Sequence, residues 1–316
     1  MTQTAQYLCS VVIPTKNGGE LFERVLQGLQ TQSCWARVQL IVVDSGSSDG
    51  TPELARKFGA TVHEIAPEQF NHGATRDFGI SLAASDNVIL LVQDAVPLND
   101  RLLESLVAAL EETGTAGAYA RQIPQTTADI LTKRNLDGWL TGRLKREVRI
   151  LKNPDDYESL PPLGKYFFCN FDNVCSAIRK SVWENMKFGS INFGEDIDWA
   201  ERILKAGHTI IYEPNAAVIH SHDRSLGYEY KRTYVCHRKL FRQFGLRTVP
   251  SLKPAFFAWI RASARDILYV VRHERRLVPK LKMTFKVTVL NLLSVLGQYR
   301  AAKDELSGIE RKIQGV

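Results

Sequence analysis

Four short runs of β-branched and apolar residues alternate with helical stripes along the first third of the chain, and this alternation limits the fold more than any other feature. Residues 9–14 (Cys-Ser-Val-Val-Ile-Pro) predict a strand ended by proline, and Leu21, Val25, Leu26 and Leu29 then recur at helical spacing. Residues 38–44 (Val-Gln-Leu-Ile-Val-Val-Asp) predict a second, buried strand. Thr51-Pro52 follows as N-cap and first-turn proline of a helix that stops at Gly59. A third strand is expected over 61–65, a helix over 74–84 and a fourth strand over 87–92. Leu103, Leu106, Val107 and Leu110 mark the inner stripe of a further helix. Strands separated by such helices imply an α/β chain with a Rossmann-like, mostly parallel sheet covered on both faces. In such sheets ligands sit at the carboxyl ends of the strands.

The rest of the chain has a different texture. Between 122 and 163 the period is lost and polar residues crowd in (Thr126-Thr127, Lys133-Arg134, Lys152-Asn153-Pro154-Asp155-Asp156), which predicts a mobile insertion near the site. Regularity returns with a strand-like stretch over 167–178 and a helix after Glu195. That helix turns Ile197, Ala200, Ile203 and Leu204 inward and stops at Gly207; two short strands are expected over 209–212 and 216–220. From Tyr228 onward apolar clusters punctuated by Lys and Arg predict helices. Lys286 and Arg300 bound the longest apolar run too closely for a membrane span, which needs roughly 20 mostly apolar residues. With 316 residues, 44% hydrophobic and 24% charged, the composition suits a large core plus an appendage. The expected division is an α/β domain over 1–222 and a basic amphipathic helical region over 223–316.

Charge sharpens that division. The net charge of +7 resolves into −6 for the first 222 residues (21 Lys and Arg against 27 Asp and Glu) and +13 for the remainder (20 against 7). A basic, aromatic-rich helical tail expects an anionic membrane surface rather than nucleic acid as its partner, or packs as the interface of a homo-oligomer. The five cysteines are odd in number and never spaced as CxxC, so they suggest neither a disulfide framework nor a zinc site, and a reducing cytosol fits them. The first residues lack a basic, apolar leader. Together these features predict a cytoplasmic protein, peripheral on the inner face of the membrane.

Five groups of residues carry chemistry. Asp44-Ser45-Gly46-Ser47-Ser48-Asp49-Gly50-Thr51 follows a buried strand: a carboxylate there accepts hydrogen bonds from a nucleobase or ribose, or merely caps a turn. Asp94, again at a strand end and next to Gln93, suits a hard cation, Mg²⁺ or Mn²⁺, shared with a diphosphate, or caps the next helix. His72 and Arg76 in Phe70-Asn71-His72-Gly73-Ala74-Thr75-Arg76 combine a helix N-terminus with a guanidinium, a phosphate-binding arrangement or a surface ion pair. Glu195, Asp196 and Asp198 behind Gly194 raise one another's proton affinity at a helix start, which is how a general base is made. His220 or His222 at a strand end completes a metal's coordination.

Taken in order, Val12-Ile13-Pro14-Thr15-Lys16-Asn17, the run from Asp44, Asp94, Glu195-Asp196 and His220 resemble the signature of family 2 glycosyltransferases of the GT-A fold. The resemblance implies a nucleotide-sugar site lined by Pro14, Thr15, Asn17, Asp44, Ser47 and Gln93, with Arg76 near the diphosphate. It makes Asp94 the metal-binding acid; Val92-Gln93-Asp94 keeps only the last carboxylate of the family's Asp-x-Asp, which gives His220 more weight as a ligand. Asp196 is implied as the base that deprotonates the acceptor hydroxyl, with Glu195 and Asp198 in support and His72 and His222 as secondary residues. Phe70-Asn71-His72-Gly73, Arg76 and Gln93-Asp94-Ala95 are similar to the bacterial rhamnosyltransferase branch. That likeness implies dTDP-β-L-rhamnose as the nucleotide diphosphate sugar donor and a saccharide acceptor linked to polyprenyl diphosphate, in cell-surface polysaccharide synthesis.

Rival readings are the same reaction with a UDP- or GDP-linked sugar, a sugar nucleotidyltransferase, and a non-catalytic membrane-peripheral scaffold. A nucleotidyltransferase would carry a glycine-rich basic loop after the first strand, of which Pro14-Thr15-Lys16-Asn17-Gly18-Gly19 is a poor version. A scaffold would leave Asp94, Asp196 and His220 without a common reason to sit at element ends.

Overall fold

The computed structural model describes residues 7–222 and 225–311; the first residues and the charge division expected at Asp223 fall outside the described residues. Two compact units form. The first comprises Met1–Gln125, Leu136–Ser159 and Phe167–Ser221, and the second Thr126–Asn135, Leu160–Tyr166 and His222–Val316.

The first unit opens with β1 (Cys9–Thr15), α1 (Gly19–Gln30), β2 (Val38–Asp44), α2 (Thr51–Lys57), β3 (Thr61–Glu64), α3 (His72–Ser81) and β4 (Asn87–Leu91). β1 lies between β2 and β4, parallel to both, and Cys9, Val11, Val12 and Ile13 are wholly buried because helices cover both faces. α1 buries Phe22, Val25, Leu26 and Leu29; Phe22, rather than the half-buried Leu21, falls in phase with the stripe. Gly50, with φ +83°, occupies the N-cap of α2, so Thr51 is its first helical residue and not its cap. The Thr51 hydroxyl instead donates to Asp49 at 2.6 Å. α3 starts two residues before the expected Ala74, with the Asn71 side chain accepting from the Ala74 amide at 3.0 Å.

β5 (Val96–Pro97), α4 (Leu102–Glu111) and β6 (Thr115–Ile123) follow. The segment over 122–163 carries α5 (Ile130–Asp137), β7 (Glu147–Arg149), α6 (Pro154–Glu158) and the start of α7 (Pro162–Phe168). Then come β8 (Cys175–Arg179), α8 (Lys180–Trp183), α9 (Glu195–Lys205) and β9 (Thr209–Ile219). Among the described residues nine strands make one sheet in the order β3-β2-β1-β4-β8-β6-β9-β5, with β7 also on β9.

Two expectations change here. The strand-like stretch over 167–178 is the end of α7, a loop and only then β8, which runs antiparallel to β4 and β6 within the parallel-dominated sheet. The two strands expected over 209–220 are one, β9, whose register against β6 jumps from Ala120↔Glu213 to Arg121↔Ala217; this irregularity takes up Pro214, Asn215 and Ala216 without ending the strand.

In the second unit α10 (Leu226–Phe244), α11 (Leu252–His273) and α12 (Leu277–Leu306) form the helical region expected after Tyr228. Gly297 of α12 lets the backbone of α10 approach: a Cβ there would lie 3.1 Å from the Tyr230 carbonyl oxygen. Wholly buried Asp304 accepts from the Tyr234 hydroxyl at 3.1 Å and from Arg311 Nε at 2.6 Å. Asp266 of α11 pairs with Arg134 at 2.8 Å and accepts from Asn291 at 3.1 Å, which ties the segment Thr126–Asn135 to α11 and α12.

Candidate active site

One edge of the sheet gathers the polar residues, because the carboxyl ends of β1, β2, β4, β6 and β9 meet the beginning of antiparallel β8 there. Leu91 at the end of β4 faces Cys175 at the start of β8, and the Val92 amide donates to the Val174 carbonyl at 3.0 Å. Topology therefore brings Gln93 and Asp94 to the same edge as Asp172 and Asn173.

The loops after β1 and β2 are fastened together. Asp44, buried, accepts at Oδ1 from the hydroxyls of Thr15 (2.8 Å) and Ser47 (2.5 Å) and at Oδ2 from the amides of Gly46 (3.0 Å) and Ser47 (2.8 Å). Its carboxylate is thus the fastening of a turn. Asn17 adopts φ +47°; its amide donates to Ser47 Oγ at 2.7 Å and its side-chain oxygen accepts from the Ser48 amide at 2.9 Å. Gln93 pairs with the Lys16 backbone in both directions, at 2.8 and 3.0 Å, as a neighbouring strand would. Pro14, half-buried, sits in β1 opposite Val43.

α3 and α9 approach each other through buried Arg76 and Glu195, paired at 2.9 Å, so the guanidinium expected near a diphosphate meets a carboxylate. Arg76 also donates to the His72 carbonyl at 3.1 Å, while its Nε is buried without a hydrogen-bond partner. Burial, then the Arg76 charge, lowers the proton affinity of His72, against the pull of Glu195. The loop before α9 rests on the start of α3. The Gly73 amide donates to the Ile191 carbonyl at 3.0 Å, and a Cβ on Gly73 would lie 2.1 Å from the Gly189 oxygen.

Adjacent acids on α9 have different surroundings. Glu195 is held by Arg76 and accepts from Asn173 Nδ2 at 3.2 Å. Asp196 accepts from the Ile197 amide at 2.8 Å, and burial, followed by the charges of Glu195 and Asp172, pushes its carboxyl up to about 8. Asp198 pairs with Arg202 one turn later, at 3.0 Å, as a helix-surface ion pair.

The cation site has a direction built into it. Gln122 donates through Nε2 to Asp172 at 2.6 Å, which turns its carbonyl oxygen toward His220 Nδ1, 3.0 Å away. A carbonyl only accepts, so Nδ1 carries the proton and Nε2 presents its other face to Asp94 Oδ1, 3.7 Å away. Asp94, His220 and His222, two residues further along the chain, offer ligand atoms all within 4.8 Å of one another. A carboxylate with two imidazoles this close fits a divalent cation. Gln122 links His220 to Asp172, whose charge in turn raises the proton affinity of Asp196. Gln122, Asp172 and Asn173 escaped sequence reading: β6 gave no periodic signal, and Asp172 and Asn173 fell inside the stretch over 167–178 read as strand, whereas they lie in the loop before β8.

A sequence model described as glycosyl transferase family 2 matches residues 10–182. The O-antigen chain rhamnosyltransferases of Salmonella typhimurium and Salmonella anatum are 29% and 30% identical over 248 and 249 residues, in each case 75% of this chain and 75% of the relative. A mannosyltransferase from Pyrobaculum calidifontis, solved in complex with GDP-Man and Mn²⁺, superposes with a TM-score of 0.60 at 16% identity, covering 97% of this chain and 89% of that one. S. aureus TarS in complex with UDP-GlcNAc gives 0.54 at 13% identity, covering 96% and 93%. At such identities the likeness to the solved structures is one of fold.

Proposed function

This chain belongs to glycosyl transferase family 2 and has the GT-A fold, and from that premise we propose an inverting transfer of L-rhamnose from dTDP-β-L-rhamnose to a hydroxyl of a lipid-linked saccharide. The observation that supports the reaction type is the gathering of Asp94, His220 and His222 as possible cation ligands, with His220 joined through Gln122 to Asp172, whose charge acts on Asp196. The sugar assignment rests on the two Salmonella relatives, whose names give a rhamnosyltransferase acting on an O-antigen chain.

In this reading Pro14, Thr15, Asn17, Asp44, Ser47 and Gln93 shape the nucleotide pocket, the first five largely by fixing the loops after β1 and β2. Asp94 and His220, with His222, would hold a divalent cation, which would supply positive charge to offset the negative charge developing on the departing diphosphate. Asp196 takes the proton of the acceptor hydroxyl as that oxygen bonds to the anomeric carbon. The bond to the diphosphate breaks on the opposite face, and the nucleotide leaves with the electron pair. One displacement converts a β-linked donor sugar into an α-linked product. Arg76 holds Glu195 and so fixes the start of α9, keeping Asp196 in place. The acceptor is proposed to be carried at a membrane that the basic second unit contacts; no described helix is long and apolar enough to cross one.

Hydrolysis of a panel of dTDP-, UDP- and GDP-sugars by the purified protein, with Mn²⁺ or Mg²⁺, tests the proposal without an acceptor. Fastest release from dTDP-β-L-rhamnose is expected. Preference for a UDP- or GDP-sugar would replace the donor and leave the reaction class standing.

A further inference from the structure

Apolar side chains of the second unit point outward in an ordered way. Along α12 Leu277, Leu281, Phe285, Leu292 and Leu296 are exposed, Phe285 by 73% and Leu277 by 69%. At 3.6 residues per turn these five positions fall within an arc of about 100°. On α11 Phe257, Ile260, Leu268 and Val271 are exposed and fall in a similarly narrow arc. Patches of this extent on a folded chain mark a contact surface.

Charge identifies the partner. Residues 252–286 contain nine Lys and Arg against two acids, Asp266 and Glu274. Asp266 is buried and bound to Arg134 and Arg265, and Glu274 is paired with Arg276, so the outward field is positive. Lys280 and Lys282 flank the apolar arc of α12 on its two sides, and Arg275 and Arg276 stand exposed at the turn between the helices. A second copy would bring two positive faces together with no acids to meet them. A nucleic acid would use the cations and have no need of exposed Leu281 and Phe285. An apolar arc edged by basic residues is the pattern of a helix lying in the interface of an anionic bilayer.

We propose that the hairpin of α11 and α12 is the membrane-docking element, with Leu277, Leu281 and Phe285 entering the acyl boundary and Arg275, Arg276, Lys280 and Lys282 meeting lipid phosphates. The assignment deepens the reading above that the acceptor is carried at a membrane, and rests on it. Sedimentation of the full chain with phosphatidylcholine vesicles, with and without phosphatidylglycerol, tests it. The protein should pellet only with the anionic vesicles. The pairs Leu281→Asp/Phe285→Asp and Lys280→Glu/Lys282→Glu should each weaken partitioning by about tenfold or more while dTDP-sugar hydrolysis persists. If the unaltered protein pellets with neither vesicle, the membrane reading falls and this assignment with it. If it pellets with anionic vesicles and both pairs bind equally well, only the assignment to this hairpin falls. A native mass that is dimeric without vesicles and becomes monomeric in the Leu281→Asp/Phe285→Asp protein would overturn it in favour of a contact between copies.

Discussion

Glu195 and Asp196 are neighbours in sequence, yet their carboxyl groups face opposite electrostatic conditions. Arg76 and Asn173 hold Glu195, whereas Asp196 meets burial and two like charges that raise it to about 8. A base must be unprotonated, so kcat/KM should rise with pH through about 8; an acid limb centred near 4 would contradict the assignment. Asp196→Asn should lower transfer about 10²- to 10⁴-fold with the fold intact. The same shift has a sign for stability. The folded carboxyl keeps its proton up to about 8 and the unfolded one loses it near 3.8, so the folded state binds more protons between those values and stability declines as pH rises across them. Asp196→Asn should therefore stabilise by roughly 1–2 kcal/mol near pH 9 and progressively less toward pH 4, which thermal melts at the two extremes would reveal. Gln122 acts at the same scale by orienting His220. Gln122→Leu removes the acceptor of Nδ1–H and should weaken Mn²⁺ binding about 10- to 100-fold in titration calorimetry; unchanged affinity would remove it from the site.

Among the elements, the junction of α3 with the loop leading into α9 leaves no room for an added methyl. Gly73→Ala would set a methyl 2.1 Å from the Gly189 carbonyl oxygen, so the loop must shift, at a cost of about 1–3 kcal/mol. Because that loop delivers Asp196, transfer should fall along with the melting temperature, and a loss of stability with full activity would uncouple the two. The elements legible in the sequence were those with strong periodicity: β1, β2 and β4 as β-branched runs, α1 and α4 as apolar stripes. β6 was invisible because Ala116, Gly117, Ala118 and Ala120 have poor strand propensity; they are small because Trp199 and Phe171 lie over them, a Cβ on Gly117 falling 3.0 and 3.1 Å from those rings. The consequence reaches the site, since Gln122 lies near the end of this strand. Asp94, Asp196 and His220 were legible because each adjoins a recognisable strand end or helix start. The Thr15–Asp44 hydrogen bond and the Arg76–Glu195 pair depend on contacts between segments far apart in sequence, which no local pattern encodes.

For the molecule as a whole, the path of the chain matters more than the change in charge along it. The second unit takes Thr126–Asn135 and Leu160–Tyr166 from the middle of the sequence as well as everything from His222. Within it Arg134 meets buried Asp266, and Asp129 meets Lys286 at 3.5 Å. Cutting the chain after Ser221 therefore does not release a finished domain: it deprives both middle segments of the helices they pack on and strands Arg134 and Asp129 without their counterparts. An uncompensated change of this kind exposes apolar surface and backbone rather than a solvated linker. A fragment ending at Ser221 should accordingly melt well below the full chain, or without a cooperative transition, and supplying 222–316 as a separate chain should recover part of the loss. A fragment that melts as cooperatively as the full protein would show that the middle segments are held by their own strand and helix contacts.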